Sequence, residues 1–225
     1  MCGFLFEYSN AKLSEKTTFL ESLNCLSHRG PDNTDFIEID NVRMGHTRLS
    51  IIDLNKRSNQ PLYLDNLTII FNGEIFNYKE IKRDLENEGY TFKTETDTEV
   101  ILHSYKKWGK DCVTKFNGMW AFVIYDKYKK EIFASRDRFG IKPFFVLRTN
   151  NGYIFSSEIE PLTNFGYKLK IDKEYISEFI RQGDPDYQGH TFFSQIKELA
   201  PSHNLVIKKF KKITTNRCWD YPRRT

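Results

Sequence analysis

The chain has 225 residues, 39% of them hydrophobic and 15% aromatic, so it can bury a core without a metal or a disulfide. Its net charge is only +4, and residues of both signs are mixed, which argues against a disordered chain and against a nucleic-acid partner. No apolar run reaches the ~18 residues of a membrane span, and the four cysteines form no C-x-x-C pair. We expect one domain in the reducing cytoplasm, with no membrane partner.

The first third of the chain predicts strands around one helix. The apolar run over residues 2–8 predicts a strand, and apolar residues at helical spacing after Ser14, a preferred N-cap, predict a helix that ends before Gly30. A β-rich run over residues 67–71 then leads into Asn72-Gly73-Glu74. A strand that ends this way presents an amide, an unobstructed N–H and a carboxylate together, which suits a small polar ligand.

Two helices are predicted next. Asn77 followed by Glu80 is typical of a capping box, and Thr96 followed by Glu99 repeats the pattern. The second helix would hold Asp97 in its first turn, where the helix dipole favours a carboxylate.

The second half predicts a change to β structure. Its short β-runs are separated by turn residues and cover residues 119–126, 131–135, 144–148 and 153–156. Asp172 would cap a further helix, and residues 195–199 and 203–207 would form a final strand pair. The basic cluster at residues 208–212 predicts a solvated hairpin or linker, and residues 214–225 show no period. This order of elements indicates an α+β fold of two sheets with helices outside.

Several motifs occur together in one order, and their combination is more specific than any one of them. They are MCGFLF, SHRGPDN, GHTRLSIIDL followed by Gln60-Pro61, FNGEIFNY, TDTE, NGM and RDRFGIKP. The chain therefore resembles the class II glutamine amidotransferase domain of glutamine-hydrolysing asparagine synthetases. The resemblance implies a four-layer αββα sandwich of two mainly antiparallel sheets, as in N-terminal-nucleophile hydrolases. It also implies a glutaminase domain over residues 1–208 and a linker from residue 209 to an absent synthetase domain.

Cys2 is the expected nucleophile. If Met1 is removed, Cys2 carries both a thiol and a free α-amine, whose ordinary pKa of about 7.7–8.0 lies just below that of the thiol at ~8.5. The amine can then serve as the base for the thiol, directly or through one water. We expect the thiolate to attack the side-chain amide of glutamine, release ammonia and leave a thioester for hydrolysis.

The oxyanion of each tetrahedral intermediate needs donors, and the Asn72 side-chain amide and the Gly73 N–H are the candidates. The alternative is that Asn-Gly forms a hairpin turn, which is its commonest use.

The remaining polar residues are expected to bind the ends of glutamine. Arg48 offers a planar fork for the carboxylate, while Glu74 and Asp97 can accept the ammonium. The resemblance adds Ile51 and Ile52 as wall and backbone contacts of the same pocket. Read without the resemblance, Arg48 would be a surface residue, Asp97 a helix first-turn acid and Glu74 a rim charge. We expect Arg29 and Arg136 to form structural ion pairs outside the site.

The resemblance also bears on partners and cofactors. We expect no cofactor in this chain, because the sequence has no Gly-Gly pair for a phosphate loop and no metal-ligand spacing among its histidines. ATP and magnesium would belong to the synthetase domain, in cis or trans, which would pass ammonia to activated aspartate. A homodimer, another acceptor such as a sugar acid or envelope precursor, and an inactive glutamine-binding or scaffold module stay open.

Overall fold

The structure is a computed structural model that describes residues 1–183, 189–209 and 213–220. Its strands are β1 Gly3–Ser9, β2 Asn33–Ile39, β3 Val42–Arg48, β4 Leu62–Leu64, β5 Leu67–Ile75, β6 Gly118–Asp126, β7 Glu131–Arg136, β8 Phe145–Arg148, β9 Gly152–Ser156, β10 Ile196–Glu198, β11 His203–Lys208 and β12 Thr214–Arg217. Its α-helices are α1 Lys16–Asn24, α2 Tyr78–Asn87, α3 Asp97–Trp108, α4 Glu160–Thr163 and α5 Lys173–Gln182. Short 3₁₀ segments lie at Lys56–Ser58 and Gly109–Lys115.

The strands form two six-stranded sheets, and each described pairing of named strands is antiparallel. The first sheet has the order β10-β8-β9-β1-β3-β2, and the second has the order β12-β11-β7-β6-β5-β4. The N-terminal strand β1 therefore lies inside the first sheet, between β9 and β3. This placement fixes the start of the chain in the interior of the fold.

Three buried clusters define the layers. One lies between α2, α3 and the outer face of the second sheet, and another lies between α1, α4 and the outer face of the first. The third joins the two sheets face to face and contains Phe4, Phe6 and Ile70. Helix, sheet, sheet and helix follow one another, so the predicted αββα sandwich is confirmed.

Side-chain alternation explains where polar groups enter the space between the sheets. Successive side chains of a strand point to opposite faces, so every second residue belongs to one row. On β1 the inter-sheet row contains Phe4 and Phe6, and its extension toward the N-terminus reaches Cys2. On β5 the row runs from Ile70 to Asn72 and Glu74. The apolar layer between the sheets thus becomes polar at one end.

The structure corrects two predicted caps. Ser14 does not cap α1, because its backbone N–H and hydroxyl both donate to the Glu7 carboxylate. Asn77 lies at the N-cap of α2 but makes no side-chain cap bond, since its side chain bonds the backbone of Lys115 and Asn117 instead. Local spacing cannot show that a distant backbone competes for these side chains.

Two other caps agree with the sequence. The Thr96 hydroxyl accepts the Glu99 N–H at 3.3 Å, and the Asp172 carboxylate accepts the Tyr175 N–H at 3.1 Å.

The C-terminal strands also differ from the prediction. The two strands expected to pair with each other lie in different sheets, because β10 pairs with β8 while β11 pairs with β7 and β12. Strand β12 occupies part of the segment predicted to lack regular structure; its exposed polar residues carry no hydrophobic pattern. Residues 210–212 of the basic cluster and residues 221–225 lie outside the described part of the chain. The domain boundary at residue 208 stays a prediction.

Gly30 fixes how the turn after α1 packs on β3. A methyl group at Gly30 would overlap the backbone of Thr47 and Arg48, which cannot move without distorting the sheet. At Gly45 it would instead meet the movable Leu23 side chain at 2.8 Å. We expect Gly30→Ala to lower the free energy of unfolding by about 3 kcal/mol and Gly45→Ala by about 1 kcal/mol. Urea unfolding of both variants measures this, and equal losses would contradict the packing described.

Candidate active site

An open cavity of about 190 Å³ lies at the polar end of the inter-sheet layer. Every residue predicted for the site lines it: Cys2, Arg48, Ile51, Ile52, Asn72, Gly73, Glu74 and Asp97. These residues come from both sheets, from the loop after β3 and from the first turn of α3. The remaining lining residues are Met1, Leu49, Ser58, Gln60, Phe71, Thr96, Thr98, Met119 and Lys142.

Cys2 lies half-buried at the cavity wall, just before β1. The Leu49 N–H donates to the Cys2 sulfur at 3.4 Å, and the thiol lies 3.6 Å from the Leu49 carbonyl oxygen. Burial raises the pKa of the Cys2 thiol, although the Leu49 hydrogen bond and the positive N-terminus oppose the rise. Met1 precedes Cys2 here, so the α-amine belongs to Met1.

The edge of β5 beside the cavity has no neighbouring strand, because β4 is short and pairs only as far as Ile69. Side chains therefore satisfy the backbone of Phe71. Its N–H donates to Gln60 Oε1 at 2.6 Å, and His46 Nε2 donates to its carbonyl oxygen at 3.0 Å. The second bond crosses from one sheet to the other and fixes β3 against β5.

Asn72 and Gly73 lie within β5, so the hairpin alternative is wrong. The buried Asn72 Nδ2 has no hydrogen-bond partner among the described residues. Backbone groups of alternate residues point the same way, so the Gly73 N–H faces the free edge, as those of Phe71 and Ile75 do. Both neighbours on that edge are satisfied, the first by Gln60 and the second by Asp97. The amide of Asn72 and the N–H of Gly73 are thus available to a ligand in the cavity.

Asp97 is buried at the start of α3. Its Oδ2 accepts the Ile75 N–H at 3.0 Å. Burial raises the pKa of the Asp97 carboxyl to about 7; the Ile75 hydrogen bond opposes the rise and the nearby Glu74 carboxylate adds to it. A cation bound in the cavity would therefore interact with the carboxyl groups of Asp97 and Glu74, and the pKa of the Asp97 carboxyl lies near neutral.

Arg48 differs from its predicted setting. Its side chain is buried, and its terminal nitrogens already donate to four oxygens, those of Ile52, Asp53 and Asn55 in the backbone and Asn59 Oδ1. The loop of residues 49–59 is wrapped around this guanidinium. A carboxylate bound by the terminal nitrogens would have to replace one or more of these acceptors.

Ile51 and Ile52 are carried by the same loop. The Ile51 side chain is 71% exposed, whereas Ile52 is partly buried, and both line the cavity mouth. The wall expected from the resemblance is present, and Arg48 determines its position.

The structural ion pair predicted for Arg29 is present, with Glu158, but sequence reasoning missed that Arg29, Asp32 and Lys142 position the site. Arg29 donates through Nε to the Cys2 carbonyl oxygen at 2.9 Å while its NH1 pairs with Glu158 at 2.7 Å. Asp32 Oδ2 accepts the Ser50 N–H at 2.6 Å at the start of the loop. Lys142 reaches the cavity from the segment after β7. Arg29 and Lys142 are buried, and a buried charge needs a specific partner, so their charges were the available signal.

Neither a metal-binding cluster nor a helix able to span a membrane occurs among the described residues. No group of three or more His, Cys, Asp or Glu side chains there could hold a metal ion. None of the described helices is long and apolar enough to span a membrane.

The αββα sandwich with Cys2 just before its first strand is the fold of the class II amidotransferases, a type of N-terminal-nucleophile fold. The family described as "Glutamine amidotransferase domain" matches residues 1–219, and the chain belongs to this family. The fold is also that of glutamine phosphoribosylpyrophosphate amidotransferase from Bacillus subtilis, with a TM-score of 0.73 at 19% identity over 97% of this chain and 49% of that one.

Curated relatives are more similar in sequence. Asparagine synthetases (glutamine-hydrolysing) 3 and 1 of B. subtilis are 36% and 35% identical, over 93% and 95% of this chain and 35% and 34% of their own lengths. Amidase chyE of Penicillium rubens is 30% identical over 96% of this chain and 32% of its own length. The chain therefore spans about a third of the length of these relatives.

His46 links stability to pH. Burial lowers its pKa from 6.5 to about 4, so the unfolded chain takes up the proton first. The contribution of neutral His46 to the free energy of unfolding is fully present above pH 6.5. As the pH falls toward 4, the free energy of unfolding decreases by roughly 2 to 3 kcal/mol. The His46→Gln variant retains a hydrogen-bond donor for Phe71 but has no imidazole to protonate. We therefore expect that this acid-induced decrease in the free energy of unfolding does not occur in the variant.

Urea unfolding at about pH 7.5 and about pH 4.5 measures the difference between wild type and variant. His190→Gln, at an exposed histidine, is the control and should follow the wild type. The same acid-induced loss in His46→Gln as in wild type would contradict the assignment.

Proposed function

We propose that this chain hydrolyses glutamine to glutamate and ammonia through a Cys2 thioester. Once Met1 is removed, the Cys2 α-amine takes the thiol proton and the sulfur attacks the side-chain amide carbon. The carbon–nitrogen bond then breaks as the amine returns the proton to the departing ammonia. Water attacks the thioester, releases glutamate and restores the thiol.

One observation carries this proposal: the buried Asn72 Nδ2 has no partner among the residues that the structure describes, and Asn72 lines the same cavity as Cys2. A buried donor without an acceptor costs about 1–3 kcal/mol, and a ligand oxygen in the cavity would remove that cost. The Gly73 N–H faces the same space. Together the two donors match the requirement of an oxyanion that forms when the Cys2 sulfur adds to the amide carbon.

The α-ammonium and α-carboxylate of glutamine would be bound by cavity side chains of opposite charge. We propose that Glu74 and Asp97 accept the substrate ammonium, which would also favour the charged form of the Asp97 carboxyl. Arg48 would bind the carboxylate, exchanging part of its contacts with the loop. Ile51 and Ile52 would then close over the aliphatic part of glutamine.

The rest of the reaction would need a second domain. Because the chain spans about a third of its relatives' length, we propose that a synthetase domain, in cis or in trans, accepts the ammonia and passes it to ATP-activated aspartate. ATP and magnesium would bind there, and this chain would hold no cofactor. The reduced cysteines support a cytoplasmic setting. A homodimer is a further proposal.

A different acceptor is the second candidate. The match to a protein named amidase chyE supports it, because relatives with this domain do not all carry the name asparagine synthetase. Ammonia production would be identical in either case. Supplying aspartate or another carboxylate with ATP to this chain together with the proposed synthetase domain, in cis or in trans, would separate the two.

The proposed nucleophile can be tested with a diazoketone analogue of glutamine. We expect the Met1-free chain to gain one adduct at Cys2 in intact and peptide mass spectrometry, because the thiolate displaces dinitrogen from the analogue. Cys2→Ala should keep its fold, lose labelling and lose glutamine turnover.

Cys25→Ala, at a half-buried cysteine away from the cavity, is the matched control and should label like the wild type. Full glutaminase activity in Cys2→Ala would overturn the mechanism. A Met1-free chain that folds but does not react would favour an inactive module.

Arg48→Lys tests the carboxylate contact. Lysine has no planar fork and fewer donors, so the loop loses hydrogen bonds and the substrate loses two-point binding. We expect KM for glutamine to rise about tenfold or more, with a smaller change in kcat. Steady-state ammonia release measures both. Arg57→Lys, whose side chain is half exposed, should leave KM unchanged, and an unchanged KM in Arg48→Lys would refute the assignment.

A further inference from the structure

The RDRFGIKP segment, residues 136–143, forms a turn after β7 and belongs to the motifs that the chain shares with the family. Its backbone is organised by one carboxylate. Asp137 accepts the N–H groups of Phe139 and Ile141 at 3.0 Å each, and that of Lys142 at 2.9 Å. It also accepts the Trp120 N–H from β6 at 3.3 Å. The turn is therefore fixed to the strand that pairs with Gly73.

The other end of the turn is fixed by Arg136. Its Nε donates to the Lys142 carbonyl oxygen at 2.7 Å, and NH2 donates to the Gly140 carbonyl oxygen at the same distance. Arg136 is itself held by Glu198 at 2.6 Å. The backbone of Lys142 is thus bonded on both sides, at its N–H by Asp137 and at its oxygen by Arg136. Because the backbone of Lys142 is bonded on both sides, its side chain has a defined direction.

That side chain enters the cavity that contains Cys2. Lys142 is only 6% exposed, and no carboxylate lies within 4 Å of its Nζ among the described residues. The contact made by Nζ is with the Met1 sulfur at 3.3 Å. A thioether is a weak acceptor, so this ammonium is poorly satisfied for a buried charge. Removing Met1 would take even that contact away and leave the ammonium facing the cavity.

We propose that Lys142 is an electrostatic positioning residue that, after Met1 removal, stabilises the thiolate of Cys2. The inference rests on the proposed function for its purpose. Lys142 remains protonated, while the thiol proton goes to the α-amine of Cys2 or to water. Its ammonium acts by charge alone, and the turn organised by Asp137 and Arg136 keeps it at the cavity.

The surrounding charges are consistent with this role. Burial and the nearby Arg29 guanidinium lower the pKa of Lys142, whereas Asp137, Cys2 and Glu74 favour its charged form. The Cys2 sulfur in turn experiences Arg48 and the N-terminus as favourable charges and Asp97 as an unfavourable one. Asp97 and Glu74 are the carboxyl groups of the cavity, and their negative charge disfavours a thiolate. The buried Lys142 ammonium in the same cavity offsets this unfavourable charge.

The test is the pH dependence of Cys2 alkylation in the Met1-free chain. Iodoacetamide reacts with the thiolate, and peptide mass spectrometry separates Cys2 from the other half-buried cysteines. We expect Lys142→Met, which retains length and loses charge, to move the midpoint upward by about one pH unit. That corresponds to roughly tenfold slower alkylation near neutral pH. Lys142→Arg retains the charge and should stay close to wild type.

Two controls separate charge from packing. Lys106→Met removes a half-exposed lysine paired with Asp65 and should leave the Cys2 midpoint unchanged. Cys25 is an internal control whose own midpoint should not move in any variant. If Lys142→Met lowers thermal stability without moving the Cys2 midpoint, the inference is wrong. Should that variant not fold, Lys142→Gln replaces it with the same two outcomes.

The readout is independent of turnover. A shifted midpoint in a protein that never hydrolyses glutamine would uphold the inference and defeat the proposed function. Diazoketone labelling at Cys2 without any shift of the midpoint in Lys142→Met would support the proposed function and refute the inference.

Discussion

The site depends on the face-to-face packing of two sheets whose facing rows change from apolar to polar at the same end. Phe4 and Ile70 belong to the buried layer, and two residues further along each row lie Cys2 and Asn72. The proposed nucleophile and the proposed oxyanion donor therefore belong to different sheets. Their separation is set by sheet packing, about 10 Å between sheet planes, and not by any local turn. The hydrogen bond from His46 to the β5 backbone fixes that separation where it matters.

The free edge of β5 supplies the second proposed oxyanion donor, the Gly73 N–H. An unpaired edge normally invites association, and here most of its backbone groups are bonded by side chains from other elements. Gln60 and His46 satisfy Phe71, and Asp97 satisfies Ile75. Only the position between them faces open space. The same carboxyl group thereby serves the strand through one oxygen, while the cavity holds it near the proposed substrate ammonium. In the proposed mode of binding, the Asp97 carboxyl group would serve both the sheet and the substrate.

Sequence reasoning reached the sandwich, most strand positions and the residues of the cavity, because alternation and motif order carry that information. It could not reach the partners of side chains that act at long range. Ser14 and Asn77 have the chemistry of caps, yet Glu7 and the backbone before β6 bind them in the folded chain. Strand β12 was missed because it is exposed on an edge and needs no apolar row. Arg48 was identified, but its four loop acceptors lie four to eleven positions further along the chain, and three of them are backbone oxygens that have no sequence signal.

The charge balance around Cys2 depends on whether Met1 is attached. With Met1 present, the sulfur lies in a partly buried setting that raises the thiol pKa, and the N-terminal charge is one residue away. Removing Met1 would bring the α-amine onto Cys2 itself and would free Lys142 from the Met1 sulfur. Both changes favour the thiolate, because the first moves the N-terminal charge nearer to the sulfur and the second leaves the Lys142 ammonium facing the cavity that Cys2 lines. A cavity with two carboxyl groups, which suits an ammonium, would otherwise oppose an anionic nucleophile. Under the proposed function, removal of one residue would reconcile a site that binds the ammonium of glutamine with a reaction that begins from a thiolate.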